Sequence, residues 1–409
     1  MNICMILPGH DFPPDIRVEK EALALLRAGH SVHILCDDLR SRGPVDRWEG
    51  IPIWRRRRLP IHSQFEKFNR IPGWIPLIDR GWQRFIEEFL RSHPMDALHV
   101  HDLPKSGAAM AAGRHAHLPV VLDLHENFPG SMKTYVEGMS FIRRLAGRWL
   151  IGPAQWGAYE RRQVAAADRV ISVVQEAAER LQEYGIPKEK IAVVENTESL
   201  SRLSACQVDG AIRDRFRDEF VILYIGGFGG KADHRGLTTA IEAMPMVCQG
   251  IPHARLVLVG KGTIRSTLEQ MVKERDLQPR VSLIDWIPQD QVYSYIAASA
   301  ACLVPYQSTP NTEASCPNKL FQYMFMEKPV VASSCKSLRR YVEETGGGVV
   351  FRAGDSRDLS RVLLGLKEES VRAEIGRRGK RAVLTKYNWE ESAKALVELY
   401  RALSSKIPQ

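Results

Sequence analysis

No D-x-D triplet occurs in the 409 residues, so the carboxylate pair that often holds a divalent ion against a diphosphate is missing, and no metal is expected. No C-x-x-C pair occurs either. The seven cysteines are scattered and odd in number, and several fall in apolar strands. They read as reduced core residues of a cytoplasmic protein. No apolar run reaches about 18 residues, so no transmembrane helix is expected. The opening MNICMILPGHDF has neither a basic start nor a long apolar stretch. It reads as a strand, not a signal peptide. Gly230-Lys231 lacks the earlier glycine and the Ser/Thr of a Walker A loop. The net charge is +9, but there is no basic repeat, zinc-finger spacing or RNA-binding aromatic signature. Nucleic acid is therefore the partner class least expected; an anionic membrane surface or a phosphorylated substrate fits better.

What is present is a repeated alternation of strand and helix. Residues 2–7 form a short apolar strand, and Val18, Ala22, Leu25 and Leu26 supply a helical stripe. Residues 31–36 return as a second strand, and Ala28-Gly29-His30 ends the helix between them. Further strands are expected at 51–56, 97–101, 120–125, 166–174 and 190–196, with one long helix over 139–166. Residues 197–217 lack an apolar period and read as a linker. A second series starts at Phe220, with strands at 255–260, 280–286, 300–306, 329–335 and 347–351. The fold class is therefore α/β: two Rossmann-like domains facing across a cleft. The domains are placed at 1–196 and 218–386, joined by the linker. A final helical segment, 387–409, is expected to pack back on the first domain.

Three stretches carry chemistry. In Thr312–Cys335, Pro317 suits the first position of a helix and Ser315 suits its cap. Asn318, Lys319 and Gln322 then share one face, with a helix N-terminus aimed at an anion. The glycine-rich run after the strand at 220 begins Gly227-Phe228-Gly229-Gly230-Lys231-Ala232. It fits G-x-G-x-x-A, which is weak alone, and the next strand ends Val259-Gly260-Lys261-Gly262 without the acid that a dinucleotide site wants. The glycines are better read as letting backbone approach a phosphate, with Arg235 and Lys261 supplying charge. Strand ends at 99–102 and 123–127 place His101, Asp102, His125 and Glu126 at a cleft rim. Finally, Arg55, Arg56, Arg57 and Arg58 precede Phe65, Phe68, Trp74 and Trp82. This is either a packed edge strand and helix or a contact with anionic headgroups.

The pattern S-x-P-N-K-L-F-x-Y-M…P-V-V-A-S resembles the nucleotide-sugar site of retaining glycosyltransferases with the GT-B fold, the family 4 type of bacterial surface-polysaccharide synthesis. PPDIRVEKEALALLRAGHSVHIL and ADRVISV…YGIPKEKIAVVEN are similar to other segments of that family. The resemblance implies a nucleotide-diphosphate sugar as donor and a glycan or lipid-linked acceptor, with no cofactor. It implies donor binding by Gly9, Gly227, Arg235, Lys261, Ser315, Asn318, Lys319 and Gln322. It implies a catalytic contact of His125 with the donor sugar. The acceptor or membrane side would fall on Arg55–Arg58 and Trp74, and the protein would sit in the cytoplasm or on the inner membrane face.

The sequence departs from the family at one place. Two glutamates are common there, and the corresponding positions are Ala314 and Gln322, with Glu313 off by one. That departure keeps a rival open: a non-catalytic GT-B protein that binds nucleotide as partner or scaffold of an active transferase. A nucleotide-sugar epimerase of the same architecture fits the motifs less well.

Overall fold

The structure is a computed structural model, and it describes residues 1–57, 79–137, 152–230 and 233–405. The chain divides into two compact units, Met1–Glu195 with Ser392–Gln409, and Asn196–Glu391.

The first unit is an eight-stranded sheet in the order β3-β4-β2-β1-β5-β6-β7-β8. Its strands are β1 (Asn2–Leu7), β2 (Ser31–Asp38), β3 (Val45–Trp48), β4 (Ile51–Arg57), β5 (Ala97–His101), β6 (Val120–Leu124), β7 (Arg169–Ser172) and β8 (Ile191–Val193). All neighbours are parallel except β3, which pairs antiparallel with β4. The polar VDRW of β3 carries no strand pattern, so this exposed edge was not expected from the sequence. Apolar runs such as NICMIL are buried on both faces, as parallel strands covered by helices must be. The first helix, Ile16–Arg27, starts where Asp15 accepts from the amides of Arg17 and Val18, while Glu19 accepts from the amide of Asp15. The expected helix over 139–166 is described only as Pro153–Ala166, with Gly152 as cap and Pro153 in its first turn. Residues 139–151 lie outside the described residues.

The second unit is a six-stranded sheet in the order β11-β10-β9-β12-β13-β14. Its strands are β9 (Phe220–Ile225), β10 (Ala254–Val259), β11 (Val281–Ile284), β12 (Ala301–Val304), β13 (Val330–Ser333) and β14 (Gly348–Phe351). The 197–217 stretch is not featureless. It holds two short helices, Leu200–Ser204 and Gly210–Asp214, capped by the side chains of Ser199 and Asp209. Five-residue helices bury too few side chains to leave an apolar period.

Each sheet has a point where the strand order reverses, between β1 and β5 in one and between β9 and β12 in the other. Crevices at the carboxyl ends of strands flanking such a point are where open α/β sheets hold ligands.

Candidate functional site

In the second unit, Gly226 and Gly227 follow β9, and Pro305 and Tyr306 follow β12. Gly226 adopts φ 143° and Gly260 φ 145°, a region open to glycine. A Cβ on Gly260 would lie 2.0 Å from the Gly226 carbonyl oxygen, and one on Gly226 would lie 2.5 Å from Lys319 Nζ. Bare backbone is therefore what lets two loops and a lysine meet. Lys319 Nζ lies 3.9 Å from the Tyr224 ring centroid and 6.0 Å from that of Tyr306. The Arg235 guanidinium lies 4.6 Å from the Tyr306 centroid. Two cations thus share two tyrosine faces. Neither forms an ion pair among the described residues. Burial, then Arg235, holds the Lys319 ammonium well below the usual lysine range. Asp233, nearby in sequence, is already engaged by the amides of Leu237 and Thr238 and by the Thr238 hydroxyl.

The 312–335 stretch differs from expectation in detail. A 3-10 turn spans Thr312–Ala314, Ser315 is extended at φ −143°, and the helix covers Lys319–Phe325 with Asn318 at its start. Ser315 therefore gives no cap; its carbonyl accepts from the Ser337 hydroxyl at 2.6 Å. The Thr312 hydroxyl closes the turn by hydrogen bonding with Thr309, and a residue before proline, here Cys316, avoids helical backbone. With seven residues the helix is too short to act as an anion site by its dipole; the side chain of Lys319 carries the charge. Asn318 Oδ1 is buried without a hydrogen-bond partner among the described residues. Gln322 has a partner: its amide nitrogen lies 3.4 Å from a carboxylate oxygen of the buried Glu198. Lys261 is exposed, and its carbonyl accepts from the Phe228 amide. Gly227 accepts through its carbonyl from the Tyr224 hydroxyl at 2.8 Å. Ala232 and Lys231, the end of the glycine-rich run, lie outside the described residues.

In the first unit, Gly9 follows β1 at φ 89°, with its amide 2.8 Å from Asp37 Oδ2. His125 follows β6. Its Nε2 lies 2.8 Å from Asp123 Oδ2, and its Nδ1 lies 3.5 Å from Asp102 Oδ2. Arg17 holds Asp123 from the other side, Nε to Oδ2 at 3.1 Å and Nη2 to Oδ1 at 3.0 Å. Burial alone would lower the His125 pKa, but the carboxylates of Asp102 and Asp123 outweigh it and raise it to about 9. His125 is therefore a cation at neutral pH. Glu126 accepts from the Ser131 hydroxyl at 2.6 Å and is not part of this group. Arg17, Asp123 and Glu198 were not singled out in the sequence, although Asp123 sits in the DLHEN strand end.

Glu21, His99, His101 and Asp123 offer ligand atoms within 4.8 Å of one another. Arg17 already bridges the two carboxylates, 2.8 Å from Glu21 and 3.0 Å from Asp123. We read the cluster as an internal ion network, not as metal ligands.

The network makes a prediction for stability. A histidine raised from 6.5 to about 9 stabilises the fold fully below pH 6.5 and loses that contribution as pH rises through about 9. Glu21 is raised by burial from 4.5 to about 8, despite Arg17, so its contribution falls over a range that ends in the same window. The melting temperature, followed by scanning calorimetry, should fall from pH 6.5 to 9, and His125→Gln should flatten that fall.

The arginine-rich stretch divides. Arg55 is 2% exposed and lies 2.9 Å from the Phe12 carbonyl, 3.0 Å from Asp46 and 3.5 Å from Asp11. It is a structural residue and cannot meet a membrane or an acceptor. Arg56 pairs with Asp37 at 2.9 Å and lies over the buried Trp82. Arg57 is exposed. Arg58 and Trp74 lie outside the described residues. Arg55→Ala should cost about 3–5 kcal/mol of unfolding free energy, because it strips a buried ion pair of one partner. In a vesicle co-sedimentation assay at a temperature where the variant is folded, binding should not change.

The comparisons with known proteins agree with this fold. A model described as Glycosyltransferase Family 4 matches residues 16–201, and one described as Glycosyl transferases group 1 matches residues 219–369. Both halves of the chain thus match glycosyltransferase families, and its fold is GT-B. The chain is 24% identical over 197 residues to the amylovoran biosynthesis glycosyltransferase AmsK of Erwinia amylovora, a match over 47% of each chain. It thus spans about half the length of that relative. Among solved structures, sucrose-phosphate synthase from Thermosynechococcus elongatus superposes with a TM-score of 0.74 at 18% identity, covering 99% of this chain and 100% of that one. Anabaena HepE in complex with UDP gives a TM-score of 0.71 at 15% identity, covering 98% and 100%. Among the described residues no helix is long and apolar enough to cross a membrane.

Proposed function

We propose that the enzyme takes a sugar from a nucleoside diphosphate donor and hands it, with retention of configuration, to a glycan or lipid-linked acceptor. The observation that carries this is the pairing of Lys319 and Arg235 over Tyr224 and Tyr306, beside the bare backbone of Gly226 and Gly260. Two adjacent cations at a switch point of the sheet, with no ion-pair partner among the described residues, are built for a dianion. The UDP found with Anabaena HepE supports a ligand of this kind. When the donor breaks, negative charge grows on the departing diphosphate. Lys319 and Arg235 stabilise it electrostatically, which is the task a metal ion performs elsewhere; we therefore assign the reaction no metal. Lys261, Asn318 and Gly227 are assigned to the same ligand, and Gly9 to donor phosphates.

His125 is assigned to the donor sugar. Held cationic by Asp123 and Asp102, which face its two ring nitrogens, it brings positive charge to the sugar, takes no proton and does not act as a base. The acceptor's proton then goes to the departing diphosphate. Gln322, engaged with Glu198, is a neutral donor-acceptor for the ribose. Arg57 and the segment beyond it are assigned to the acceptor side, in a protein working in the cytoplasm at the inner membrane face. The relative AmsK, of amylovoran biosynthesis, supports a place in polysaccharide assembly.

The test is to incubate the purified chain with a panel of UDP-, GDP- and ADP-sugars and a lipid-linked acceptor extract, and to follow donor loss and product mass. Acceptor-dependent loss of one donor by this chain alone supports the reading. Binding of a diphosphate without any donor loss would favour the non-catalytic partner. Acceptor-free conversion to an isomeric donor would favour an epimerase.

A further inference from the structure

The first unit buries more ionisable side chains than the assigned role of His125 uses. Glu21, His99 and Asp123 are fully buried, and Arg17 and His101 nearly so. Burying charge is costly unless partners compensate it. Here the compensation is partial. Nε2 of His99, Nε2 of His101 and Oε2 of Glu21 have no hydrogen bond among the described residues, while Oε1 of Glu21 pairs with Arg17. Such a cluster does more than fill space.

The contacts run in one line. The hydroxyl of Tyr400, on the helix Trp389–Ser404, lies 2.9 Å from His99 Nδ1. Burial holds that phenol well above the usual range, so it keeps its proton and can donate to an unprotonated Nδ1. A donor on Nδ1 leaves the His99 proton on Nε2. Nε2 faces Glu21 Oε2 at 3.6 Å and Asp123 Oδ2 at 3.9 Å. His99 stacks on His101 with ring centroids 4.5 Å apart and 17° between planes. His101 Nδ1 lies 3.3 Å from Asp123 Oδ2 and 3.2 Å from His125 Nε2. Asp123 Oδ2 is thus the hub, and His125 is the one imidazole at its open end, with a side chain 20% exposed.

We propose that Glu21, His99 and Tyr400 are positioning residues for His125, acting through Asp123, and that Tyr400 ties the charge and aim of that imidazole to the seating of the C-terminal segment on the first unit. The proposal rests on the assignment of His125 to the donor sugar. The groups that face the cluster come from four elements: Arg17 and Glu21 on the first helix, His99 and His101 on β5, Asp123 on β6, and Tyr400 on the last helix. Asp102 faces His125 from the loop after β5, Cys4 on β1 lies near Tyr400, and the His30 ring packs on Tyr400 with centroids 5.8 Å apart. Burial raises the Glu21 carboxyl to about 8, and Asp102 and Asp123 raise the His125 imidazole to about 9. Once charged, Glu21 supports the imidazolium, which a glutamine cannot do.

The experiment is an NMR titration of the full chain labelled with 15N-histidine, with His125 assigned by its absence in His125→Gln. In Glu21→Gln the His125 midpoint should fall by about one pH unit, the size expected for loss of a nearby carboxylate. In Tyr400→Phe the His99 tautomer signal should change and the His125 midpoint should move. The alkaline limb of the turnover profile should shift with the NMR midpoint, which a merely structural role would not cause. Unchanged His125 midpoints in folded Glu21→Gln would overturn the proposal, whatever Tyr400→Phe does to folding. No donor is needed for the titration. A chain that transfers no sugar would therefore sink the functional reading alone, and a fixed midpoint with normal transfer would sink this one alone.

Discussion

Lys319→Ala should raise the dissociation constant for a nucleoside diphosphate by about 10- to 100-fold, since a hydrogen bond between charged groups contributes about 1.5–3 kcal/mol. The effect belongs to the ammonium and not to packing. Lys319→Met, which keeps contact with the Tyr224 face, should lose nearly as much. Arg235→Ala should show a loss of the same order. The double variant should lose more than the sum of the two in kcal/mol, because each single variant also relieves the repulsion between the cations. The same repulsion gives a second readout. Lys319 is held below the usual lysine range in the free enzyme. An arriving diphosphate favours its charged form, so binding should take up protons at alkaline pH. Calorimetry in two buffers of different ionisation enthalpy measures that uptake. Unaltered affinity in both single variants would remove the cation pair as the donor site.

His125→Ala should lower turnover by about 100-fold or more, in the range of positioned acid–base and hydrogen-bonding groups. Donor affinity should stay within about threefold, because the imidazolium acts where charge changes during reaction and not on the ground state. His125→Gln keeps one N–H and should recover part of the loss. Asp123→Asn is the wrong variant for this test, since it leaves Arg17 and His125 buried together without their shared carboxylate. Normal turnover in His125→Ala would show that the residue serves the ion network alone.

Much of the fold was legible because parallel strands buried on two faces are apolar runs. NICMIL, FVILYI and ARLVLV need no context to be read. The edge strand VDRW was not legible, since half its backbone pairs with nothing and its side chains face water. The second-unit site was legible through its glycines and cations, but not its tyrosines. That Tyr224 and Tyr306 carry Lys319 and Arg235 depends on two strand ends meeting at the reversal of the sheet. Ser315 was misread as a cap because a Ser-x-Pro pattern looks alike whether the chain turns before the proline or after it. Arg55 was misread for a deeper reason. Alternation along β4 sends it inward, where Asp11 and Asp46 wait from two other segments. A run of four arginines conceals that. The ion network is the least legible part, because Arg17, His99, Asp123 and Tyr400 lie far apart in sequence and meet only in the fold.

The central claim is that the second unit binds a nucleoside diphosphate with its own cations. Isothermal titration of the wild-type chain with UDP, GDP and ADP, once in EDTA and once in magnesium, tests it most directly. The account predicts that one of the three binds and that its dissociation constant is the same in both conditions. Binding that appears only with magnesium, or no binding by any of the three, would contradict it.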